Sequence, residues 1–159
     1  STWAQVSGGI VKSLGMTALV AAVVGTAAMP VGPAAATPAE GEIVRTDLAQ
    51  GTTAAPISIV THGEETTFYV QNVVLKPAAS SGWHAHPGPE YTVVTKGSVH
   101  VQTATNCPPM AVSEGQATFI PGGVAHVVFN QGPDEANAVV TYTLPAEHAI
   151  RQDMPDGCR

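Results

Sequence analysis

Residues 115–130 read GQATFIPGGVAHVVFN, and this stretch is the most informative about the fold. The runs ATFI and VAHVVF are rich in β-branched and aromatic residues, which favour strands. The Pro121-Gly122-Gly123 sequence between them favours a tight turn. The stretch therefore predicts two strands joined by a turn, with His126 on the returning strand.

The same kind of pattern recurs through the chain after Pro56. Short runs rich in Val, Ile, Thr and aromatic residues are bounded by Gly, Pro, Asn or charged residues, and no apolar stripe of helical period and length accompanies them. The runs are ISIVTH (57–62), TFYVQNVVL (67–75), EYTVVT (90–95), SVHVQTA (98–104), ATFI (117–120), VAHVVF (124–129) and AVVTYTL (138–144). Strands that recur about every ten residues predict an all-β sandwich or barrel.

Composition and charge exclude several classes of protein. The chain has 6 Lys and Arg against 12 Asp and Glu, a formal net charge of −6, so it lacks the clustered basic surface of a nucleic-acid binder. A hydrophobic content of 44% argues against a disordered chain. Sixteen Gly and thirteen Pro in 159 residues are too many for a helical bundle.

Residues 1–36 differ from the remainder of the chain. Lys12 precedes LGMTALVAAVVGTAAM (14–29), which has no charged residue, and Ala34-Ala35-Ala36 follows. A basic residue, a short apolar region and an A-x-A site are the parts of a signal peptide, so we expect a secreted or cell-envelope protein. The alternatives are a buried helix and a retained membrane anchor, although an anchor needs about 20 apolar residues. Only a retained anchor would bring the chain into contact with a membrane.

Residues 37–56 are polar and interrupted by Gly and Pro, which predicts a linker or an edge strand. Residues 57–159 are expected to form one domain without internal repeats. Cys107 and Cys158 are the only cysteines of the chain, and in an oxidising compartment they are expected to form a disulfide that tethers the C-terminal tail. The alternative is two unpaired, exposed thiols.

Histidines alternate in the stretch GWHAHPGPE, residues 82–90. Residues two apart on a strand face the same side, so His84 and His86 point together and form half of a metal site. Two surface histidines would give the same pattern. Spacing alone does not place Glu90 beside them, because Pro87-Gly88-Pro89 interrupts the strand.

Together the two stretches resemble the paired motifs of the cupin superfamily. The first motif, G-x5-HxH-x3-4-E-x6-G, is matched at every position except its opening glycine, where the chain has Ala78; the matching residues are His84, His86, Glu90 and Gly97. The second motif, G-x5-PxG-x2-H-x3-N, is matched in full by Gly115, Pro121, Gly123, His126 and Asn130. The two motifs lie in order and are separated by seventeen residues.

The resemblance implies a cupin-type double-stranded β-helix, which is a jelly-roll barrel of six to eight strands with a metal in its mouth. It also implies four metal ligands: His84, His86, Glu90 and His126. Imidazoles and a carboxylate suit one divalent transition metal (Zn, Mn, Cu, Fe or Ni), and they disfavour Ca and Mg, which prefer all-oxygen ligands. One or two coordination positions would stay open for water, substrate or dioxygen.

Cupins include dioxygenases, isomerases, decarboxylases and non-catalytic binding proteins, so the fold does not define the reaction. The intact ligand set favours an exported metal-dependent enzyme with dioxygenase-like activity on a small molecule, in which Glu90 acts as a ligand or a momentary base. The alternatives are a non-catalytic metal- or ligand-binding module of the cell envelope, and an isomerase or decarboxylase. The sequence does not identify the substrate, and it leaves a homodimer open.

Two other polar residues have competing interpretations. Asn130 either forms a turn or orients His126, and we favour the turn. His100 lies between two valines and faces either the pocket or the solvent, because the strand register after Gly97 is not defined by the sequence.

Overall fold

The computed structural model describes residues 38–61 and 65–159. The chain divides into two compact units, residues 1–43 and residues 44–159. The described residues of the first unit are exposed and contain no strand. The signal peptide expected at residues 1–36 lies outside the described residues. In the described part of the chain, no helix has the length and hydropathy that a membrane span requires.

The second unit is built from two five-stranded sheets. The first sheet has the strand order β1-β7-β4-β9-β2 and the second has the order β10-β3-β8-β5-β6. The strands are β1 (Thr52–Thr53), β2 (Thr66–Leu75), β3 (His84–Ala85), β4 (Glu90–Lys96), β5 (Ser98–Thr103), β6 (Asn106–Ser113), β7 (Gln116–Ile120), β8 (His126–Phe129), β9 (Ala136–Pro145) and β10 (Gln152–Asp153). All pairings are antiparallel except that of β1 with β7. The two sheets confirm the predicted all-β jelly-roll architecture.

The interior between the sheets is arranged in layers. Along β4 every second residue is buried, as the period of a strand requires. Strand register gives each of these residues an inward-facing neighbour on β9: Glu90 lies opposite Tyr142, Thr92 opposite Val140, and Val94 opposite Ala138. The layers therefore change from polar to apolar from the beginning of β4 towards its end.

Two segments differ from the strand prediction. Residues 57–61 form no strand, and Ile57, Ile59 and Val60 are 44–59% exposed, so the prediction for this run is wrong. A run of strand-favouring residues forms a strand only where its backbone can pair with the edge of a neighbouring strand. By contrast, β6 is a strand although Pro108 and Pro109 disfavour one there. It lies at an edge of the second sheet, where a residue without an N–H is tolerated.

The C-terminal tail is fastened to the second sheet. Cys107 on β6 and Cys158 form the expected disulfide, with their Cα atoms 5.6 Å apart. Strand β10 pairs with β3, and the Met154 N–H donates a hydrogen bond of 2.9 Å to the carbonyl of Trp83. The tail therefore covers the outer edge of the short strand that carries His84.

The motif glycines occupy backbone positions that favour glycine. Gly97, Gly115 and Gly123 have φ angles of 71°, 79° and 78°. Ala78, which replaces the first glycine of the motif, has a φ angle of 61°. A residue with a Cβ is strained by roughly 1–2 kcal/mol in this left-handed region. Ala78 thus keeps the conformation of the motif at an energetic cost.

We expect Ala78→Gly to raise the free energy of unfolding by about 0.5–1 kcal/mol, because the relief of strain exceeds the added entropy of the unfolded chain. Urea unfolding monitored by circular dichroism measures the change. Ala111→Gly is the matched control: Ala111 is exposed on β6 with an ordinary strand φ, and this variant should lose stability. Equal destabilisation by both variants would contradict the strain at Ala78.

Candidate metal centre

Four buried side chains meet where the two sheets come together. His84 on β3 lies directly opposite His126 on β8 in the second sheet, and Glu90 begins β4 in the first sheet. One nitrogen or oxygen atom from each of His84, His86, Glu90 and His126 lies within 4.8 Å of the other three, and each residue is at most 5% exposed. The structure therefore brings together all four residues that the motifs indicated.

The Pro87-Gly88-Pro89 turn explains how Glu90 joins the histidines. It carries the chain from β3 in the second sheet to β4 in the first, so that residues on both sides of it face the same space. A Cβ at Gly88 would lie 1.9 Å from the carbonyl oxygen of Thr143, so only glycine fits. The N–H of Gly123 donates a 2.8 Å hydrogen bond to the carbonyl of His86, which joins this turn to the second motif.

The three histidines have the same hydrogen-bonding arrangement. The Nδ1 atom of each ring lies within hydrogen-bond distance of a backbone carbonyl oxygen: that of Gly82 for His84 (2.8 Å), Ile150 for His86 (2.5 Å) and Val124 for His126 (2.9 Å). A carbonyl oxygen only accepts, so Nδ1 carries the proton in each ring. In a neutral imidazole, Nε2 then presents its lone pair, which is the form that binds a metal.

Glu90 completes the cluster as a carboxylate. Its Oε2 atom is 3.1 Å from Nε2 of both His86 and His126, and its Oε1 atom accepts a 2.8 Å hydrogen bond from the hydroxyl of Thr92. Burial raises the pKa of the Glu90 carboxyl, but the interactions with His126, His86 and Thr92 outweigh burial and hold that pKa well below its ordinary value. The carboxyl is therefore anionic at neutral pH.

His84 is a neutral ring in the absence of a metal. Burial, with smaller contributions from the nearby His126, Arg151 and His86, lowers its pKa to about 4 against the opposing hydrogen bond to the carbonyl of Gly82. Because the ring is already neutral at pH 7, it can bind a metal without first losing a proton.

The cluster fits a transition-metal cation. With the rings neutral, four acceptor atoms face one another. A proton on His126 Nε2 would make that ring a cation and satisfy its contact with Glu90 Oε2, but His86 Nε2 would stay buried without a hydrogen-bond partner. A divalent cation among these atoms would satisfy all four. Three imidazoles and one carboxylate are ligands that Zn, Mn, Cu, Fe and Ni accept.

The cluster opens into a cavity of about 450 Å³. His84, His86 and Glu90 line the cavity, whereas His126 is fully buried. The ring of Tyr142, another lining residue, lies 4.6 Å from the ring of His86 between centroids. Burial and the Glu90 carboxylate raise the pKa of Tyr142 to about 12, so its hydroxyl stays protonated at neutral pH.

The structure also resolves the two open interpretations. Asn130 stabilises a turn: its side-chain amide donates to the carbonyls of Leu75 and Asp134, and its oxygen accepts from the N–H of Gly132. His100 faces away from the cavity, because its neighbours Val99 and Val101 point into it, and its ring stacks on Phe129 at 5.5 Å.

Sequence reasoning missed Thr92 and Tyr142. Thr92 lies two residues after Glu90 on the same strand, so strand alternation could have placed both side chains on one face. Tyr142 is 52 residues from Glu90 and adjoins it only through the pairing of β4 with β9. No local pattern in the sequence identifies it.

Comparison with known proteins defines the family. Residues 71–142 match the cupin domain family. The matched residues contain both motifs, and the two-sheet barrel places the motifs at one site. Residues 71–142 of this chain are therefore a cupin domain. No curated protein matches the chain.

Solved structures resemble parts of this chain at low sequence identity. The polyketide cyclase RemF from Streptomyces resistomycificus is 21% identical with a TM-score of 0.50, and the match covers 59% of this chain and 64% of that chain. A cupin-like protein from Thermotoga maritima is 26% identical with a TM-score of 0.48, over 56% and 65% of the two chains. Oxalate oxidase in complex with the substrate analogue glycolate is 28% identical with a TM-score of 0.44, over 47% and 41%. Each match covers less than two thirds of the other protein.

We expect purified wild-type protein to bind one transition metal per chain and His126→Ala to weaken binding more than about 100-fold, because the variant loses one of four ligands. Elemental analysis after dialysis measures the stoichiometry. His100→Ala, a change of the same kind outside the cavity, should keep the full metal content. Full metal content in a His84→Ala/His86→Ala double variant would contradict the proposed ligand set.

We expect the metal-free protein to lose stability as the pH falls from about 6.5 to about 4, because unfolded His84 takes up a proton that the folded residue does not bind. Urea unfolding in the presence of a chelator measures this loss, and His84→Asn should reduce it more than His100→Asn. NMR titration of the His84 ring tests the cause directly. A pKa of 6.5 or higher in the folded protein would contradict it.

Proposed function

We propose that this cupin is an exported, metal-dependent enzyme that oxidises a small molecule in a dioxygenase-like reaction. The observation that carries the proposal is the position of the ligand set: three of its members line a cavity that is open to one side. A metal held only for structural stability is normally surrounded by protein ligands, whereas a catalytic metal keeps positions open. The cavity volume of about 450 Å³ suits a small organic molecule.

The protein's own residues have distinct roles in this proposal. His84, His86, His126 and Glu90 would hold the metal, which when bound would supply a Lewis acid and open positions for substrate oxygen and dioxygen. Both carboxylate oxygens of Glu90 are already engaged, one by Thr92 and one by the histidines. Glu90 therefore acts as a ligand in this scheme, and its role as a momentary base stays a prediction.

Tyr142 is positioned to act on the substrate. Its ring borders the cavity beside His86, and its hydroxyl is a hydrogen-bond donor at neutral pH. A substrate oxygen held at the metal end could accept this hydrogen bond. The apolar walls further along the cavity would exclude water from the reacting group, which strengthens such polar contacts.

Two features support export to the cell envelope or the medium. Residues 1–36 have the composition of a signal peptide, and Cys107 and Cys158 form a disulfide, which is typical of oxidising compartments. A chain exported unfolded would acquire its metal after folding, because the ligands come from β3, β4 and β8 and meet only in the folded domain. The Irving–Williams order then favours Zn or Cu, with Mn set by availability, over Fe in the native compartment.

Oxygen consumption tests the reaction class. We expect the protein loaded with Fe(II) or Mn(II) to take up dioxygen in the presence of at least one compound of a panel of small phenols, enols and keto acids. His126→Ala should abolish this uptake, and His100→Ala should retain it. Turnover of a compound without dioxygen would identify an isomerase or decarboxylase and contradict the proposal. Stoichiometric compound binding without turnover would identify a binding module.

A further inference from the structure

The cavity has two chemically different ends. Its metal end contains His84, His86, Glu90 and Tyr142. The remaining wall is formed mainly by aliphatic side chains from both sheets, of which six are Leu75, Val99, Val101, Val128, Ala138 and Val140. These residues belong to the layers below the Glu90–Tyr142 layer, because Val140 lies opposite Thr92 and Ala138 lies opposite Val94.

A smaller set of polar residues interrupts this aliphatic wall: Gln71, Ser80, Ser81, Thr92, Thr118 and Arg151. The Thr92 hydroxyl donates to Glu90. Arg151, the one Lys or Arg among the described lining residues, donates from Nε to Asp153 (2.8 Å) and from Nη2 to the carbonyl of Ser81 (2.7 Å). These contacts use two of its five N–H groups and hold the guanidinium beside the strand of His84, because Asp153 lies opposite His84. No other Lys or Arg is among the described residues that line the cavity.

We infer that the substrate has one oxygen-bearing, metal-binding group and a hydrocarbon body that lies against the aliphatic wall. The inference rests on the proposed function, since it requires a metal at the ligand cluster. It disfavours small dianions and sugars, because their additional charged or polar groups would lie against a mainly aliphatic wall with few polar partners. The proposed substrate class is thereby narrowed from small molecules in general to amphiphilic small molecules.

Three hydroxamates test the inference, because a hydroxamate binds metals through two oxygens and its tail can be varied. Acetohydroxamate has one methyl group, hexanohydroxamate adds four methylenes, and adipic acid monohydroxamate ends the same chain in a carboxylate. Each methylene that moves from water to an apolar wall favours binding by about three- to fourfold. We expect hexanohydroxamate to bind the Zn-loaded protein at least about 30-fold more tightly than acetohydroxamate, and adipic acid monohydroxamate at least about tenfold more weakly than hexanohydroxamate.

Two matched pairs of variants test whether the aliphatic wall causes the gain in affinity with chain length. Ala138→Leu fills the aliphatic part of the cavity and should reduce the gain from chain length to less than about threefold without change in metal content, whereas Ala111→Leu on β6 should keep the full gain. Val140→Thr is nearly isosteric and adds a hydroxyl to the wall, so it should reduce the gain while avoiding overpacking. Val139→Thr changes the neighbouring residue, on the opposite face of β9, and should leave the gain unchanged.

Isothermal titration calorimetry with the Zn-loaded full chain measures the affinities. Equal affinity for acetohydroxamate and hexanohydroxamate, with metal bound, would overturn the inferred substrate class and leave the proposed function standing. A gain from chain length that persists in both Ala138→Leu and Val140→Thr would also overturn it. Absence of bound metal together with absence of acetohydroxamate binding would instead overturn the proposed function.

Discussion

The site depends on the close approach of four buried hydrogen-bond acceptor atoms. Each histidine Nδ1–H is held by a backbone carbonyl, so none of the rings can turn its Nε2 lone pair away from the centre without breaking a buried hydrogen bond. The Glu90 carboxylate is held in the same way by Thr92. Acceptors fixed this close to one another repel unless a cation lies among them, and the ligands come from both sheets. A metal bound by these four residues would therefore join the two sheets at this end of the barrel.

Parts of the chain that are remote in sequence maintain this geometry. The carbonyl that orients His86 belongs to Ile150, in the tail that the Cys107–Cys158 disulfide fastens to the second sheet. Strand β10 in the same tail pairs with β3 and positions Asp153 opposite His84. The tail is thus part of the support of the metal site. Its low apolar content explains why a covalent link holds it in place.

The sequence predicted the ligand set and the all-β architecture better than it predicted the walls of the cavity. Glu90 could be assigned only through the motif resemblance, because its approach to the histidines depends on the Pro87-Gly88-Pro89 crossing between the sheets. On β2 apolar residues occupy both faces of the strand: Phe68 and Val70 are exposed, whereas the polar Gln71 lines the cavity. Strand alternation alone does not select the inward face there. Tyr142 reaches the site through long-range strand pairing, which a single sequence does not encode locally.

The central claim is that His84, His86, His126 and Glu90 bind one metal ion through three Nε2 atoms and a carboxylate oxygen. X-ray absorption at the zinc edge of the Zn-loaded chain measures the coordination directly. The account predicts nitrogen and oxygen ligands at about 2.0–2.2 Å with outer-shell scattering from three imidazole rings, reduced to two rings in His84→Ala. Scattering from fewer than three imidazoles in the wild-type protein, or a coordination shell unchanged by His84→Ala, would contradict it.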